Sequence, residues 1–367
     1  MDTQAKACHE TTFSGRLSLK DVLHLASWHS IHAGVPVRRQ LLELAALRML
    51  RRQSVHYYYY SRLYRRSLSW LEKLDHFNST EYETLCRKLN PLRAAYRHKI
   101  VQKALLQLAG VPTPKLLGSL RGNAGWSHTG APLHEAAHLH ALLSSDHCKA
   151  IVLKDELGLG GDGVHKFSVL VDGRCVTLRQ GGMGQTLSCA ELLARFADTH
   201  HGYLIEELFE QHPLMAAWNA SSVNTVRVWV AARARDESIV LGAFLRVGRP
   251  GSFVDNTASG GLIGLLDEET GRVIEVTTGD LYRRRLRRRP DASPWPEEPL
   301  PYWQKVQSLA TRVLPLFPGI RLAGLDIAIG PLGPAVIEVN VLIPSIQGFG
   351  SFDKPGRALF RRAGLLA

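Results

Sequence analysis

Three features of the 367-residue chain predict a mixed architecture of the α+β or α/β class. Residues 18 to 95 are dense in Leu and Ala with few breakers, and they read as helical. Later apolar runs have the length of strands, and most turns between elements are short. The last such run, PAVIEVNVLIPS at 334–345, carries Glu338 and Asn340 two residues apart. Strand alternation would put Val336, Glu338 and Asn340 on one face and Ile337 and Val339 on the other. A carboxylate buried there needs a cationic partner.

Along the chain, SLKDVLHLASW and RRQLLELAALRML open the helical region, and Asn90-Pro91 punctuates its end. In HKIVQKALLQLAG, Ile100, Val101, Ala104, Leu105 and Leu108 form one helical stripe, with Gly110 as the stop. A proline-bounded extended segment follows, then the helical PLHEAAHLHALLSS and the short strand AIVLK. The glycine loop LGLGGDG leads into a hairpin expected to turn at Asp172-Gly173. AELLARFADTH is helical, YLIEELF is a strand, and SVNTVRVWVAAR and SIVLGAFLRVG are sheet strands. PYWQKVQSLATRVLPLF is amphipathic, with Trp303, Val306, Leu309, Ala310 and Val313 on one side. AGLDIAIG and PAVIEVN close the set as a hairpin across Gly330 to Gly333. No internal repeat is visible.

Composition is that of a globular protein, 45% hydrophobic and 21% charged. No apolar run approaches the roughly 18 residues that would span a bilayer. The opening MDTQAKACHE lacks the basic-then-apolar pattern of a signal peptide, so a cytoplasmic location is expected. Five scattered cysteines without a C-x-x-C pattern fit reduced thiols better than a disulfide frame or a zinc site. The net charge of +12 is local: residues 38–103 hold 15 Lys/Arg against 5 Asp/Glu, and RRRLRRR at 283–289 adds six arginines. Such regions suit a phosphate-rich ligand, an acidic substrate or an anionic membrane surface.

Three elements carry chemistry. Asp326 in AGLDIAI can lie beside Glu338 and Asn340 across the final hairpin, giving two carboxylates and an amide oxygen, a hard set suited to Mg²⁺. In VLKDELGLGGDG, Lys154 ends a buried strand before a loop whose glycines let backbone N–H groups approach phosphate. The spacing is neither that of a P-loop nor the glycine-then-lysine order of kinases. Glu206-Glu207 then ends a strand where the chain changes lobe, and hinge backbone at such a place can read adenine.

The order of these parts resembles the ATP-grasp superfamily: a Lys-headed helix before G-V-P-x-P, strand-Lys-glycine loop, E-E hinge, N-T-x-R strand and D…E-x-N hairpin. SSVNTVRV, FVDNTASGGLIGLLDEETG and LAGLDIAI…VIEVN further resemble its sugar-transfer-associated group, related to the alpha-L-glutamate ligases. The resemblance runs from about Tyr96 to Gly350. It implies an α+β fold of two subdomains gripping ATP, divided as 96–205 and 206–367, after a basic helical region at 1–95. It further implies that Lys99 and Lys154, with Gly160, Gly161 and Gly163, hold the nucleotide phosphates, and that Glu206, Glu207 and Leu208 form the adenine hinge. Asp326, Glu338 and Asn340 match magnesium ligands, with two ions implied. Arg227 and Arg246 fall where arginines hold an acyl phosphate, joining Lys154 as catalytic residues, and Asn256, Gly260 and Gly261 match a segment near the acceptor. Asp155 stands where proline is usual, and VLIPSIQ replaces a short glycine-containing stretch.

The reaction so implied is ATP-driven ligation of a small-molecule carboxylate to an amine, forming a C–N bond through an acyl phosphate. Its setting would be glycan, exopolysaccharide or secondary-metabolite synthesis, with a glycan-linked substrate in view. The alternatives are an ATP-grasp phosphotransferase and a basic module binding nucleic acid or membrane. No nucleic-acid partner is expected; peripheral membrane contact and the oligomeric state stay open. His134 and His138 have a spacing that can bind zinc, but solvent or core histidines are the plainer reading. YYYYSRLYRRSLSW reads by default as lobe-packing aromatics with a solvated basic face, with stacking on nucleic acid or an amphipathic membrane-surface helix as alternatives. RRRLRRR reads as a mobile basic loop, either solvated and neutralised by Glu297 and Glu298 or clamping an anionic acceptor.

Overall fold

Serine and asparagine caps punctuate the helical region where the sequence places them. Ser18 and Asp21 form a capping box on α1 (Leu19–Ala33), and Gly34 ends it at φ 68°. Pro36 opens α2 (Val37–Arg51), while Ser54, Ser69 and Asn78 cap α3 (Val55–Tyr60), α4 (Trp70–Leu74) and α5 (Ser79–Leu89). This computed structural model describes residues 17–366 except 146–147, 159–162, 173–174, 182–183, 197–200, 235–236, 252–259 and 347.

After α6 (Lys99–Leu108) comes a seven-stranded antiparallel sheet of β1 (Leu116–Leu120), β2 (Trp126–Ser127), β3 (Ala150–Asp155), β4 (Val164–Asp172), β5 (Cys175–Gln180), β6 (Thr186–Ser188) and β7 (Tyr203–Glu207). Its order is β2-β1-β7-β3-β4-β5-β6. Two helices, α7 (Ala136–Ser145) and α8 (Cys189–Phe196), bury Leu139, Leu143, Leu192 and Phe196 against it. Strands β4 and β5 pair to Asp172–Cys175, so the expected hairpin forms; Gly173 of its turn lies outside the described residues.

The short α9 (Pro213–Ala216) leads to a second sheet, six-stranded in the order β11-β10-β9-β8-β12-β13. Its strands are β8 (Thr225–Ala234), β9 (Glu237–Val247), β10 (Leu262–Leu266), β11 (Val273–Thr278), β12 (Leu322–Gly330) and β13 (Gly333–Asn340). One face meets α10 (Trp303–Val313), which buries the five residues its periodicity singles out. Side chains alternate along β8: Val226, Val228 and Val230 face α10, whereas Trp229 and Ala231 face the amino-terminal helices. There Tyr57–Tyr60, Phe77 and Tyr82 pack with Trp229, Phe349, Phe352 and Phe360, the last three from α11 (Gly348–Ser351), the turn after it and α12 (Gly356–Arg362). Residues 17–95 and the second sheet therefore share one core, and the break expected at 95 is not a boundary of packing. Likewise β7 carries the first sheet to Glu207, past the 205/206 division.

Three readings change. The apolar stripe proposed for α6 is not its buried face: Gln102, Lys103 and Leu106 are buried, while Leu108 is 87% exposed and Val101 38%. The helix lies where two sheets meet around charged groups, so its inward face is polar. Second, β13 does not alternate evenly. Asp326 pairs with Glu338 but Ile327 with Val336, so Ile337 is an extra residue in a β-bulge. Val336 and Val339 enter the core, while Ile337, Glu338 and Asn340 line the opposite side. Third, the 283–289 segment is docked at its start, while Arg285, Arg287 and Arg288 stay exposed: Leu286 N–H donates to the Val276 carbonyl (2.8 Å), and the Arg283 guanidinium is buried 5.0 Å from the Tyr60 ring centroid. Their ion pairs go to Glu275 and Asp291, not to the expected glutamates 297 and 298. The four adjacent tyrosines are buried and present no rings for stacking on nucleic acid.

Among the described residues no helix is long and apolar enough to cross a membrane. Asn90, which ends α5, is fully buried and uses its whole amide. It donates to the Leu322 and Val341 carbonyls (both 2.7 Å) and accepts from Arg321 and Leu322 N–H (2.9 and 3.0 Å). Asn90→Ala strands these four backbone groups and should destabilise the protein by about 3 kcal/mol. Urea unfolding would show this as a lower midpoint at unchanged slope.

Candidate functional site

Between the two sheets lies a cavity of about 700 Å³ lined by α6, β3, β7, β8, β9, β12 and β13. Its floor is a buried carboxylate between two lysines. Glu206 is 2% exposed; one oxygen meets Lys154 Nζ at 2.5 Å and the other meets Lys103 Nζ. Burial pushes the Glu206 carboxyl up, but Lys103 and Lys154 outweigh that and hold it below the usual carboxylate range. Burial also lowers the Lys103 ammonium despite Glu206. Lys103 further donates to Thr113 Oγ1 (2.6 Å) and the Pro114 carbonyl (3.2 Å), tying the helix to the extended segment after it. Lys103 escaped the sequence reading, although its i+4 spacing from Lys99 puts both on one helical face.

One turn before Lys103, Lys99 reaches the Gly158 carbonyl at the root of the glycine loop and lies 3.6 Å from Glu338. Asp155, the residue in the usual proline position, closes this root: its Oδ1 accepts from Leu157 and Gly158 N–H, both at 2.8 Å. Gly163 sits at φ 72°, where an added Cβ would meet Asp155 Cβ at 2.8 Å. Gly160 and Gly161 lie outside the described residues. At the hinge, Glu207 N–H donates to the Lys115 carbonyl and Leu208 N–H to the Ala150 carbonyl, both at 3.0 Å. These donors are committed within the protein, which leaves carbonyl oxygens for any ligand contact there. The Glu206 side chain serves the lysines.

On the opposite wall Asp326 is 4% exposed and saturated with donors. Its Oδ1 accepts from Arg227 Nε and from Arg246 Nη1 (3.1 Å), and its Oδ2 from Arg227 Nη2 (2.8 Å) and Asn340 Nδ2 (3.4 Å). Register makes this possible, because Asp326 pairs with Arg227 on one side and Glu338 on the other. Burial raises the Asp326 carboxyl, and the two arginines overcome it and hold it low. The cation expected opposite the IEVN strand is thus arginine for Asp326 and Lys99 for Glu338. Among the described residues no group of three or more His, Cys, Asp or Glu is placed to hold a metal. The set expected from the sequence to hold magnesium is two carboxylates and an amide. Glu338, with 27% of its side chain exposed, is its open member.

The acceptor segment is not brought to the cavity as expected. Gly260 and Gly261 sit at the entry to β10, held by Arg249 Nε to the Gly260 carbonyl (3.1 Å) and Gly279 N–H to the Gly261 carbonyl (3.1 Å), and neither lines the cavity. Asn256 lies outside the described residues. The cavity lining does include Ile343, Pro344 and Ser345, from the stretch that departs from the expected pattern, and Tyr60, Trp229 and Phe244.

A family model described as sugar-transfer associated ATP-grasp matches residues 80–356. Among solved structures, the chain is similar to an ATP-grasp RimK domain protein of Sphaerobacter thermophilus (14% identity, TM-score 0.36, covering 75% of this chain and 68% of that one). It is also similar to a D-alanine–D-alanine ligase of Bacillus anthracis (13% identity, TM-score 0.38, covering 73% and 67%). A third is the biotin carboxylase domain of the Hydrogenobacter thermophilus 2-oxoglutarate carboxylase, in complex with MgADP, ADP and bicarbonate (13% identity, TM-score 0.43). There the match covers 80% of this chain and spans 54% of the other. No curated protein matches the chain.

Both buried carboxylates titrate below their unfolded values, so their stabilisation is complete above about pH 5 and is lost as pH falls through the lower folded values. The unfolding midpoint should hold down to about pH 5 and fall progressively below it. Glu206→Gln leaves two buried ammoniums without their counterion and should destabilise at neutral pH by about 3 kcal/mol or more, with a shallower acid limb.

Proposed function

The chain belongs to the sugar-transfer associated ATP-grasp family, and from that premise we propose that it is an ATP-dependent ligase that joins a carboxylate to an amine through an acyl phosphate. One observation carries the reading: a single cavity holds lysines 99 and 154 toward the glycine-loop root and Arg227 with Arg246 beside Asp326 at the opposite wall. A triphosphate needs charge neutralisation along its length, and an acyl phosphate needs donors where the carboxylate meets the γ-phosphorus.

In the proposed reaction Lys99 and Lys154 neutralise phosphate oxygens and hold the triphosphate in line. The substrate carboxylate attacks the γ-phosphorus, a C–O–P linkage forms, and the bond to the β-phosphate oxygen breaks to release ADP. Arg227 and Arg246 orient the carboxylate and hold the acyl phosphate. The amine then attacks the acyl carbon, forms the C–N bond, expels inorganic phosphate and loses a proton. Positioning and charge suffice, and no Ser or Cys nucleophile is needed.

The donor set fits magnesium: Glu338 offers an open carboxylate, and Asn340 would present its amide oxygen once the amide is turned over. Asp326 would join by exchanging its weak 3.4 Å contact with Asn340. Magnesium bound there would neutralise triphosphate oxygens and favour in-line displacement. The substrates would be small molecules, a glycan-linked acid or amine among them, handled in the cytoplasm.

Screening pools of carboxylates and amines for ADP and phosphate release, with mass spectrometry of the condensed product, tests this. Both substrates should be needed, and phosphate should appear in step with ADP. Glu338→Ala should lower turnover by about 10²–10³-fold while the protein stays folded, and Arg227→Ala should do so with a lower unfolding midpoint, because it leaves the buried Asp326 one arginine. ADP formed with phosphate retained on an alcohol product would replace the ligase by a phosphotransferase. Failure to bind ATP would sink both.

A further inference from the structure

We propose that the outer face of the α1–α2 hairpin docks on an anionic lipid bilayer. This rests on surface chemistry alone and stands apart from the reaction assigned above. On α2, residues 38, 42, 45, 49 and 52 recur at helical spacing and form the stripe turned away from the buried Gln40, Glu43 and Leu47. The stripe is apolar at its centre, with Leu42 71% and Met49 79% exposed, and Arg38 and Arg52 stand at its two ends. Arg48 and Leu50 flank it, both exposed. On α1, which packs against α2, Leu19, Leu23 and Ile31 are exposed as well. Six of the sixteen large apolar side chains exposed among the described residues fall in this one hairpin, three of them on α2.

Charge selects the occupant. The charged residues classed as exposed between residues 19 and 52 are basic: Lys20, Arg38, Arg48 and Arg52. The acidic Glu43 is turned inward, bonded to Arg39, Lys73 and Tyr58, and Asp21 is spent on the α1 cap. The arginine-rich segment reaches the same hairpin, since the Arg284 guanidinium lies 5.7 Å from the Trp28 ring centroid on α1. Arg285, Arg287 and Arg288 beyond it are exposed. An apolar stripe about 20 Å long, bracketed by arginines, matches a helix lying in the plane of a bilayer. Its leucine and methionine enter the acyl boundary while the arginines extend to anionic headgroups.

Sedimentation with vesicles of phosphatidylcholine containing phosphatidylglycerol, against phosphatidylcholine alone, reads the binding. The wild type should partition to the anionic vesicles and be released by rising salt. The triple variant Arg38→Gln, Arg48→Gln, Arg52→Gln should bind about a hundredfold more weakly. Leu42→Ser with Met49→Ser should also lose binding, and because all five positions are exposed, unfolding midpoints should match the wild type. Equal partitioning to the two vesicle types, or undiminished binding by both variants, overturns the proposal. A wild type that ignores vesicles but forms a dimer dissolved by the Leu42→Ser, Met49→Ser change overturns it too, assigning the face to a second copy.

Discussion

Glu206 sits where water does not reach, and an ionised carboxylate there is tolerated only because Lys103 and Lys154 meet one oxygen each. Desolvating such a group costs several kcal/mol, so the geometry of its two partners is tightly constrained. Lys154 lies on β3 and Glu206 on β7, neighbours in the first sheet through the Val152–Glu206 pair. Lys103 comes from α6, and α6 belongs equally to the second sheet: Leu106 enters that core, and Gln102 Oε1 accepts from Val339 N–H at 3.0 Å. The helix is therefore pinned between the lobes by three consecutive inward turns of polar and apolar contact. Once Lys103 is fixed, Lys99 four residues earlier must point the same way, toward Gly158 and Glu338. The cationic lining of the cavity follows from one buried carboxylate.

The second wall repeats the device of one carboxylate held by two cations. Asp326 takes two arginines, where Glu206 takes two lysines, and the difference in side chain matters. Arg227 grips both oxygens with its planar fork, leaving Arg246 to approach one of them from the next strand. Two guanidiniums on one carboxylate leave an uncompensated positive charge beside a half-open Glu338. Such a site is preorganised for an incoming anion, because the donors are already fixed by strands and need not reorganise when charge arrives. The bulge at Ile337 makes this geometry available. Without the extra residue, Val336 and Glu338 would share a face, and either the core would lose a valine or the cavity its carboxylate.

Much of this was legible in the chain. The final hairpin, its turn at Gly330–Gly333, the α10 stripe and the juxtaposition of Asp326, Glu338 and Asn340 all follow from alternation and helical period, because those elements bury apolar faces against apolar neighbours. The same periodicity misleads on α6, whose inward face meets charge from both lobes; there Lys103 and Gln102 are the buried residues and Leu108 is in solvent. A bulge leaves no mark in residue types, so the phase of β13 could not be read through Ile337. The arginine segment misled for a different reason. Six arginines in seven residues suggest a solvated loop, yet Arg283 and Arg284 settle on aromatic faces: Tyr60 and Trp28 come from distant parts of the sequence, and Tyr282 adjoins them in the same segment.

The helical amino-terminal region is best understood as part of the second lobe and not as an appendage to it. Trp229, Leu241, Phe244, Ile263 and Leu322 line one face of the second sheet, and the helices cover that face with Leu25, Leu47 and the tyrosines of α3. Gly348 is confined by the same packing, since an added Cβ would fall 2.3 Å from the Trp229 ring. Asn90 completes the attachment through four hydrogen bonds to the β12 end and the residue after β13. Tyr60, at the end of α3, reaches through this shared core to the cavity, where Trp229 and Phe244 also surface. Tyr60, upstream of the family match at 80–356, thus helps to line the cavity. The lysine wall and the Ile343–Ser345 stretch fall within the residues that the family model spans, whereas Tyr60 lies outside them. The cavity therefore depends on the amino-terminal helices as well as on the two sheets, because Tyr60 is held in place by the aromatic core it shares with Trp229 and Phe244.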